Sequence, residues 1–475
     1  MTSPETASSL LDQSATSLLA NLRTGKISAL EVMTETLDRI DARNPAVNAL
    51  VGMADREDLL AQARTKDAGP VTGPLHGLPL AIKDLVNVKG LTSTQGSPIF
   101  KDFVPAKDDA LAARLRASGA ILIGKTNVPE FGLGSHTFNP VYGRTSNPYN
   151  HALTCGGSSG GAGVALALGM VALADGSDMM GSLRNPAAWS NVYGLRPTWG
   201  RVPGEPDLDR AMHRLATSGP MARSPADIAV MLDVMSHPDP LRPHARAPEP
   251  TAPLSPQSLA GKRLGWLGDW GGAFPLEDGI LEHSEAALAV LRDAGATVEA
   301  LPAPFEFEAL WHSWITLRSW QVGAGLVSLR DNASLMKDSV LWELERAEKM
   351  TALQVHDASA ARARWAACAA DLFQRYDALI LPTTQVWPFD INQPWPTEIA
   401  GVEMDTYHRW MACVVPVSLI GLPSLSMPAG FGDKGLPLGI QIFGPLGADR
   451  SILATGETYH QATLWPQRRP PPTLG

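Results

Sequence analysis

The sequence is poor in cysteine, with only Cys155, Cys368 and Cys413 among 475 residues. Cysteines this few and this widely spaced do not form a disulfide framework, and the sequence has no CxxC pair or HExxH motif to indicate a metal site. It therefore predicts a protein of a reducing compartment, the cytoplasm, that holds no metal.

The sequence also lacks an excess of basic charge and a long hydrophobic run. Lys and Arg number 39 against 48 Asp and Glu, a formal net charge of −9, which argues against nucleic acid or anionic lipid as a partner. No basic residue precedes Arg23 and no compact apolar block follows the first Met, so no signal peptide is predicted. The longest uncharged apolar run, 162–174, is shorter than the ~20 residues of a membrane span and predicts a buried helix instead.

The apolar pattern predicts an α/β protein. Residues 1–70 have helical spacing of apolar residues, and Ser28 and Glu31 resemble a capping box. Beyond residue 70, short apolar runs such as 78–82 and 120–123 alternate with helical segments. This alternation predicts a large mixed, mostly parallel sheet with helices on both faces.

The domain boundaries follow composition. Residues 71–236 and 257–465 are expected to form a single α/β domain, on which the N-terminal helices of 1–70 pack. Seven prolines between 237 and 256 predict a surface loop, and 466–475 a Pro-rich tail. The stretch 303–375 is mainly helical and rich in Trp. Core packing is the favoured role of these tryptophans; the alternative is that a few line an aromatic-tolerant pocket.

Three short motifs fit known patterns in the wrong context. Residues 119–126 (GAILIGKT) match a P-loop, but their middle residues read as the strand itself and Pro129 prevents a following helix. Residues 157–161 (GSSGG) match the nucleophile elbow with Ser159 as nucleophile, yet no downstream histidine stands in a distinctive loop. Residues 334–337 (SLMK) match SxxK without the motifs that accompany it.

Three other segments carry residues suited to one chemistry. Lys83 ends the apolar segment 77–84 (GLPLAIKD), where a lysine reaching the surface is the simpler interpretation. The Gly-rich segment 156–161 (GGSSGG) leads into a helix, as a tight turn or anion site would. The segment 178–186 (DMMGSLRNP) sets Ser182 between an acidic and a basic residue, as a capped loop would.

Taken together, the order and spacing of these segments resemble the amidase-signature family. Ser158 and Ser182 are 24 positions apart, and Lys83 lies 75 positions before Ser158. The flanking segments are similar as well, over about residues 28–450: 73–77 (GPLHG), 124–132 (GKTNVPEFG), 194–198 (GLRPT), 421–424 (GLPS) and 436–444 (LPLGIQIFG).

The resemblance implies a Ser–Ser–Lys triad that hydrolyses amides through an acyl-enzyme, with no cofactor. Ser182 would be the nucleophile, Ser158, after a cis peptide bond, the proton relay, and Lys83 the base. A solvated lysine has a pKa near ~10.4, so about one in a thousand is neutral at pH 7.4. Burial lowers the pKa of an amine, so we expect Lys83 to be buried with two serine partners.

The resemblance also assigns the groups around the triad. The backbone N–H groups of Met179, Met180, Gly181 and Ser182 would bind the oxyanion, although the family commonly has Gly where Met180 stands. Gly157 and Ser159 would support the relay serine. Asp178 and Arg184 would brace the turn of the nucleophile.

The function implied is an amidase acting on a small carboxylic amide, or on an aryl amide, anilide, ester or carbamate. The alternative is the glutamine-hydrolysing A subunit of a tRNA-dependent amidotransferase, which would need a charged pocket. A catalytically inactive binding protein on the same scaffold is a third reading. The sequence leaves open whether the chain forms homo-oligomers, and whether His136, Phe138 and Tyr142 border the pocket or a surface loop.

Overall fold

The computed structural model describes residues 9–204, 212–238 and 249–472. The α-helices of these residues are α1 (Ala15–Arg23), α2 (Ala29–Val47), α3 (Arg56–Ala68), α4 (Ala110–Ala117), α5 (Gly160–Ala167), α6 (Arg184–Trp189), α7 (Pro225–Met235), α8 (Ile280–Asp293), α9 (Phe307–Leu326), α10 (Asp338–Glu348), α11 (Ala352–Leu372), α12 (Val415–Leu419), α13 (Asp449–Thr463) and α14 (Trp465–Arg468). Short 3₁₀ helices are Leu10–Asp12, Pro98–Phe100, Glu130–Gly132, Val327–Leu335 and Arg409–Val414.

The strands fall into one large sheet and two small hairpins. They are β1 (Leu50–Val51), β2 (Pro79–Lys83), β3 (Ile121–Thr126), β4 (Phe138–Asn139), β5 (Gly143–Arg144), β6 (Leu173–Asp178), β7 (Tyr193–Arg196), β8 (Thr217–Ala222), β9 (Arg263–Trp266), β10 (Thr297–Ala300), β11 (Ala378–Pro382), β12 (Glu398–Ile399), β13 (Val402–Glu403), β14 (Ser424–Phe431) and β15 (Pro437–Phe443).

The large sheet has eleven strands within the described ranges, in the order β1-β3-β2-β6-β8-β7-β14-β15-β11-β9-β10. The predicted α/β fold with a large mixed sheet is confirmed. Its parallel pairs lie on the two flanks, where β2 joins β3 and β6, and β9 joins β10 and β11. In the centre of the sheet, from β6 to β11, neighbouring strands are antiparallel. One of these pairs, β14 and β15, is a hairpin, and a short turn can join two strands only when they are antiparallel.

The apolar run 162–174 is not one helix, and this expectation was wrong. Helix α5 ends at Ala167, and Gly169 has a φ of 66°, which a residue with a side chain rarely adopts. The chain then turns and enters β6 at Leu173. The run is apolar throughout because a buried helix and a buried central strand need the same residue types.

The N-terminal helices begin where the sequence supplies caps. Ser28 Oγ accepts the N–H of Glu31 at 3.0 Å, and the Glu31 carboxylate accepts the N–H of Ser28 at 2.7 Å. This reciprocal pair starts α2 at Ala29. Strand β1, which the sequence did not reveal, follows α2 and pairs antiparallel with β3.

Parts of several predicted segments lie outside the described residues. These parts are 1–8 of the N-terminal helices, 205–211 of the α/β domain, 239–248 of the Pro-rich loop and 473–475 of the tail. The described end of the Pro-rich segment packs on α7, where Thr251 Oγ1 donates to Asp233 Oδ1 at 2.6 Å. Strands from before and after this segment share the sheet, since β7 pairs with β14.

Most tryptophans of the helical stretch 303–375 pack in a second apolar core. Trp314 and Trp365 are fully buried there, and Trp365 Nε1 donates to the carbonyl of Pro416 at 2.8 Å. Helices α10 and α11 each pack against α9 in this part of the molecule. Core packing therefore accounts for these tryptophans.

Candidate active site

Lys83 lies at the carboxyl end of β2, next to the parallel strand β6. The ends of parallel strands in an α/β sheet are where ligands commonly bind. The side chain is 1% exposed. Its Nζ donates to Ser158 Oγ at 2.9 Å, to Ser159 Oγ at 2.8 Å and to Ser177 Oγ at 3.0 Å. The lysine is thus buried among serine hydroxyls.

The burial changes the protonation of this lysine. Desolvation lowers the pKa of Lys83 to about 7, although the negative charges of Asp175 and Asp178 raise it. A substantial share of Lys83 is therefore uncharged at neutral pH, and an uncharged amine can accept a proton.

Ser158 follows a cis peptide bond from Gly157. Ser135 holds this segment in place, because its hydroxyl donates to the carbonyl of Gly157 at 2.6 Å. Asn185 Nδ2 in turn donates to Ser135 Oγ at 3.1 Å. Ser135 thereby links the serine segment to α6, which follows the turn of Ser182.

Ser182 lies in the turn between β6 and α6 and is 7% exposed. Its backbone carbonyl accepts the N–H of Ser159 at 3.1 Å, so the turn is tied to the start of α5. Ser182 and Ser158 both line one cavity, and the side-chain hydrogen bonds of Lys83 go to Ser158, Ser159 and Ser177 rather than to Ser182.

The turn that carries Ser182 is braced by Asp178. Its Oδ1 accepts the N–H of Gly181 at 2.9 Å, and its Oδ2 accepts the N–H of Leu183 at 3.2 Å. Gly181 has a φ of 77°, which favours glycine. The Gly181 N–H is thus already hydrogen-bonded to Asp178, while Met179, Met180 and Ser182 line the cavity.

Asp178 is held by two buried arginines. Arg184 donates to both of its carboxylate oxygens at 3.0 Å, and Arg196 Nη1 lies 3.4 Å from Oδ1. Burial alone would raise the pKa of Asp178, but the charges of Arg184 and Arg196 outweigh it and hold the pKa well below its usual range. Asp178 is therefore ionised at neutral pH.

The cavity in front of the serines has a volume of about 430 Å³. Its described walls come from several elements and expose polar and apolar groups in similar measure. The larger apolar side chains are Phe131, Leu133, Met179, Met180, Trp199, Val322, Leu326 and Met411, and polar side chains beyond the serines include Gln95, His213, Arg318 and Gln321. A cavity of this size fits a small molecule rather than a polymer.

The loop of His136, Phe138 and Tyr142 is not part of the described cavity wall. His136 is buried between Phe138 and Phe389, and its Nδ1 lies 3.1 Å from the carbonyl of Gln393. Burial lowers the pKa of His136 to about 4. This histidine is a packed, neutral side chain.

Sequence reasoning missed three groups at the site. Ser177 Oγ accepts a hydrogen bond from Lys83 Nζ, and Asp175 Oδ1 accepts one from the backbone N–H of Lys83 at 2.8 Å. Arg318, on α9, forms part of the cavity wall. Burial raises the pKa of Asp175 to about 6. Polar residues at 175, 177 and 178 in an otherwise apolar strand were a sequence signal for Ser177 and Asp175. No sequence signal pointed to Arg318, because it lies far from the other site residues along the chain.

The misleading motifs have structural roles. Residues 121–126 are strand β3, and Lys125 Nζ lies 3.9 Å from Asp84 Oδ1 with both side chains buried. Ser159 bonds Lys83. Lys337 Nζ donates to the carbonyl of Leu133 at 2.6 Å.

The described ranges lack both a membrane-spanning helix and a cluster of metal-binding side chains. None of their helices is both long and apolar enough to cross a membrane. In the same ranges, no group of three or more His, Cys, Asp or Glu side chains could hold a metal ion.

The fold and this site define a class, and comparison with known proteins identifies it. The model of the Amidase family matches residues 31–453. The chain belongs to this amidase-signature family, whose enzymes hydrolyse amides.

The proteins similar to this chain include two acylamidases and one amidotransferase subunit. The chain is 32% identical to an acylamidase of Rhodococcus erythropolis, over 97% of this chain and 98% of that protein. It is 34% identical to the A subunit of the glutamyl-tRNA(Gln) amidotransferase of Thermus thermophilus, over 94% of this chain and 96% of that protein. The solved structure of a bacterial aryl acylamidase is similar with a TM-score of 0.89 and 28% identity, covering 96% of this chain and 98% of that one.

Proposed function

We propose that this protein hydrolyses a small carboxylic amide through an acyl-enzyme on Ser182, with Ser158 as proton relay and Lys83 as base. The observation that carries the proposal is the buried Lys83, whose Nζ lies 2.9 Å from Ser158 Oγ at a cavity that Ser158 and Ser182 both line. A hydroxyl becomes a strong nucleophile when a neighbouring base removes its proton.

The proposed reaction has two steps. In the first, uncharged Lys83 accepts the proton of Ser158 as Ser158 accepts that of Ser182, and Ser182 Oγ attacks the carbonyl carbon. Ser158 then protonates the leaving amine and takes a proton back from the Lys83 ammonium, so the C–N bond breaks to leave the acyl-enzyme and an uncharged Lys83. In the second, the same relay takes a proton from water, which attacks the ester carbonyl carbon. The relay returns this proton to Ser182 Oγ as the C–O bond breaks and the acid is released.

The backbone N–H groups of the 179–182 turn are proposed to stabilise the oxyanion of each tetrahedral intermediate. Because the Gly181 N–H donates to Asp178, we assign the larger share to Met179, Met180 and Ser182. Backbone donors do not depend on the side chain, so methionine at position 180 is compatible with this role.

The proposed substrates are aryl or otherwise apolar amides, with anilides, esters and carbamates open to the same chemistry. The aromatic and methionine side chains in the cavity wall support this choice, as does the likeness to an acylamidase and an aryl acylamidase. The tryptophans of 303–375 do not support this choice of substrate, since they pack in the second apolar core.

Glutamine hydrolysis within an amidotransferase is the second candidate, and the 34% identity to one component of such an enzyme favours it. The two candidates differ in substrate and in dependence on partners. The isolated chain is expected to hydrolyse acyl anilides with no partner present. Turnover of glutamine alone, appearing only with a partner protein, would favour the second candidate.

The test of the triad is labelling with a fluorophosphonate probe, mapped by mass spectrometry. We expect the label on Ser182 and a loss of at least about 100-fold in labelling rate for Lys83→Ala, because general-base catalysis commonly contributes this much or more. The matched control is Ser159→Ala, which removes a neighbouring hydroxyl but keeps the proposed triad. Label on Ser159 that persists in Lys83→Ala would overturn the proposal.

A further inference from the structure

A buried arginine, Arg318 on α9, lies in the wall of the cavity that Ser158 and Ser182 line. It is 3% exposed. Its Nε donates to Glu343 Oε1 at 2.7 Å, and its Nη2 donates to Tyr407 OH at 2.7 Å. Ser319 Oγ donates to the other oxygen of Glu343 at 2.6 Å. Glu343 therefore neutralises the charge of Arg318.

The third nitrogen of this guanidinium has a much poorer partner. Nη1 lies 3.3 Å from Met179 Sδ, and a thioether sulfur is a weak acceptor. Hydrogen bonds from a charged donor to oxygen are about twice as strong as bonds between neutral groups. A substrate oxygen that replaced the sulfur would therefore gain a strong bond at little cost.

We propose that Arg318 is a specificity-determining residue, whose Nη1 binds an uncharged oxygen of the substrate outside the scissile amide. This inference rests on the proposed function. Met179 stands in the turn of Ser182, so the oxygen belongs to the part of the substrate that lies against this turn. An uncharged acceptor suits the site better than a carboxylate, because Glu343 already balances the arginine and a second anion would be buried without a countercharge.

The experiment compares matched substrates on the full chain. The probes are two series of amides, linear acyl anilides and N-alkyl benzamides, in which one CH₂ is replaced by an ether oxygen at successive positions. For each pair, the ratio of kcat/KM for the ether to that for the methylene compound is measured. The same ratio in a variant cancels the intrinsic reactivity of the substrates.

The informative variant is Arg318→Met combined with Glu343→Gln, which removes the donor without leaving a buried charge unpaired. In the wild type, the ratio is expected to peak at one ether position, about tenfold above that of the double variant. A merely structural role would lower kcat/KM for both members of a pair and leave their ratio unchanged. Thermal unfolding of each protein verifies that it is folded.

Single variants test the same contact separately. Met179→Leu removes the competing sulfur at nearly constant volume, so the ether preference should persist or increase. Glu343→Gln makes the network positive, so a substrate ending in a carboxylate should gain relative to the wild type. If the double variant does not fold, Arg318→Lys replaces it, because a compact ammonium paired with Glu343 does not place a donor where Nη1 lies.

The outcomes separate the two proposals. Hydrolysis of the anilides with equal ether ratios in the wild type and the double variant overturns the role of Arg318 and leaves the amidase function standing. A wild-type preference for carboxylate-terminated substrates over ethers also overturns it. Failure of the wild type to cleave any member of either series overturns the proposed function, and this inference with it.

Discussion

At the scale of single residues, Lys83 shows how burial creates a base from an amine. Desolvation lowers its pKa to about 7 against the opposing charges of Asp175 and Asp178. Three serine hydroxyls and a carbonyl surround Nζ, and these groups accept hydrogen bonds without adding charge. The amine is thus satisfied by polar partners but is not held in its charged form by an ion pair.

The first prediction concerns the pH dependence of kcat/KM. If uncharged Lys83 is the base, kcat/KM should rise with pH through about 7 and then reach a plateau. In Ser159→Ala the rise should move to lower pH, because the lost hydroxyl is an acceptor that stabilises the ammonium. Initial rates at constant ionic strength check this. A profile that falls as pH rises through 7 would contradict a lysine base.

The second prediction concerns Asp178. Asp178→Asn should lower the free energy of unfolding by about 3 kcal/mol, because Arg184 and Arg196 would keep buried charges without a carboxylate partner. Its folded pKa is lowered, so its contribution is present above the unfolded pKa and is lost as the pH falls through the folded value.

Urea unfolding at neutral pH measures the Asp178→Asn effect. The matched control is Asp38→Asn, whose partner Arg56 lies at the surface and whose side chain is 61% exposed. An exposed pair contributes at most ~1 kcal/mol, so the control should change little. Equal effects of the two substitutions would show that the buried network is not stabilising.

At the scale of elements, close approach of the backbone decides where glycine is required. A Cβ at Gly161, on the first turn of α5, would lie 2.3 Å from the backbone N of Asn127 and 2.5 Å from the carbonyl of Ala49. These two atoms hydrogen-bond to each other at 2.9 Å, so neither can move without shifting the backbone that precedes β1 or follows β3. Helix α5, whose N-terminal cap is Ser159, is thereby pressed against the sheet beside Lys83.

The third prediction follows from this packing. Gly161→Ala should lower stability by about 2 kcal/mol and reduce kcat/KM, because the helix that carries Ser158 and Ser159 at its start must move away. Gly163→Ala is the control in the same helix, since its nearest atom, 2.9 Å away, is the movable hydroxyl of Ser190. Urea unfolding and anilide turnover of both variants check it. A smaller loss for Gly161→Ala than for Gly163→Ala would contradict the argument.

At the scale of the whole molecule, the buried lysine couples stability to pH. The folded pKa of Lys83 is about 7, below the ordinary value of 10.5, so the unfolded chain binds more protons between these values. Stability from this group must therefore rise with pH across that window.

The fourth prediction is a difference between two proteins. From pH 7 to 9.5, the free energy of unfolding of the wild type should increase relative to that of Lys83→Met, which has no proton to lose. Urea unfolding at a series of pH values gives this difference directly. A difference that is constant with pH would mean that Lys83 is charged in the folded protein.

Much of the fold could be predicted from local sequence. Apolar runs bounded by Gly and Pro marked β2 and β3, and the capping box at Ser28 and Glu31 marked the start of α2. The run 162–174 was misread, because composition alone does not separate a buried helix from a buried strand. The antiparallel centre of the sheet was not predicted, since pairing joins strands as distant as β7 and β14.

The sequence by itself determined the α/β class, the family and the residues proposed for the triad, because these depend on short motifs and their spacing. Only the tertiary structure decided what surrounds them. Ser177, Asp175 and Arg318 reach the site through strand pairing and helix packing, and the lowered pKa of Lys83 arises from burial. Burial and proximity are properties of the folded chain, in which residues far apart in sequence exclude water from the same site.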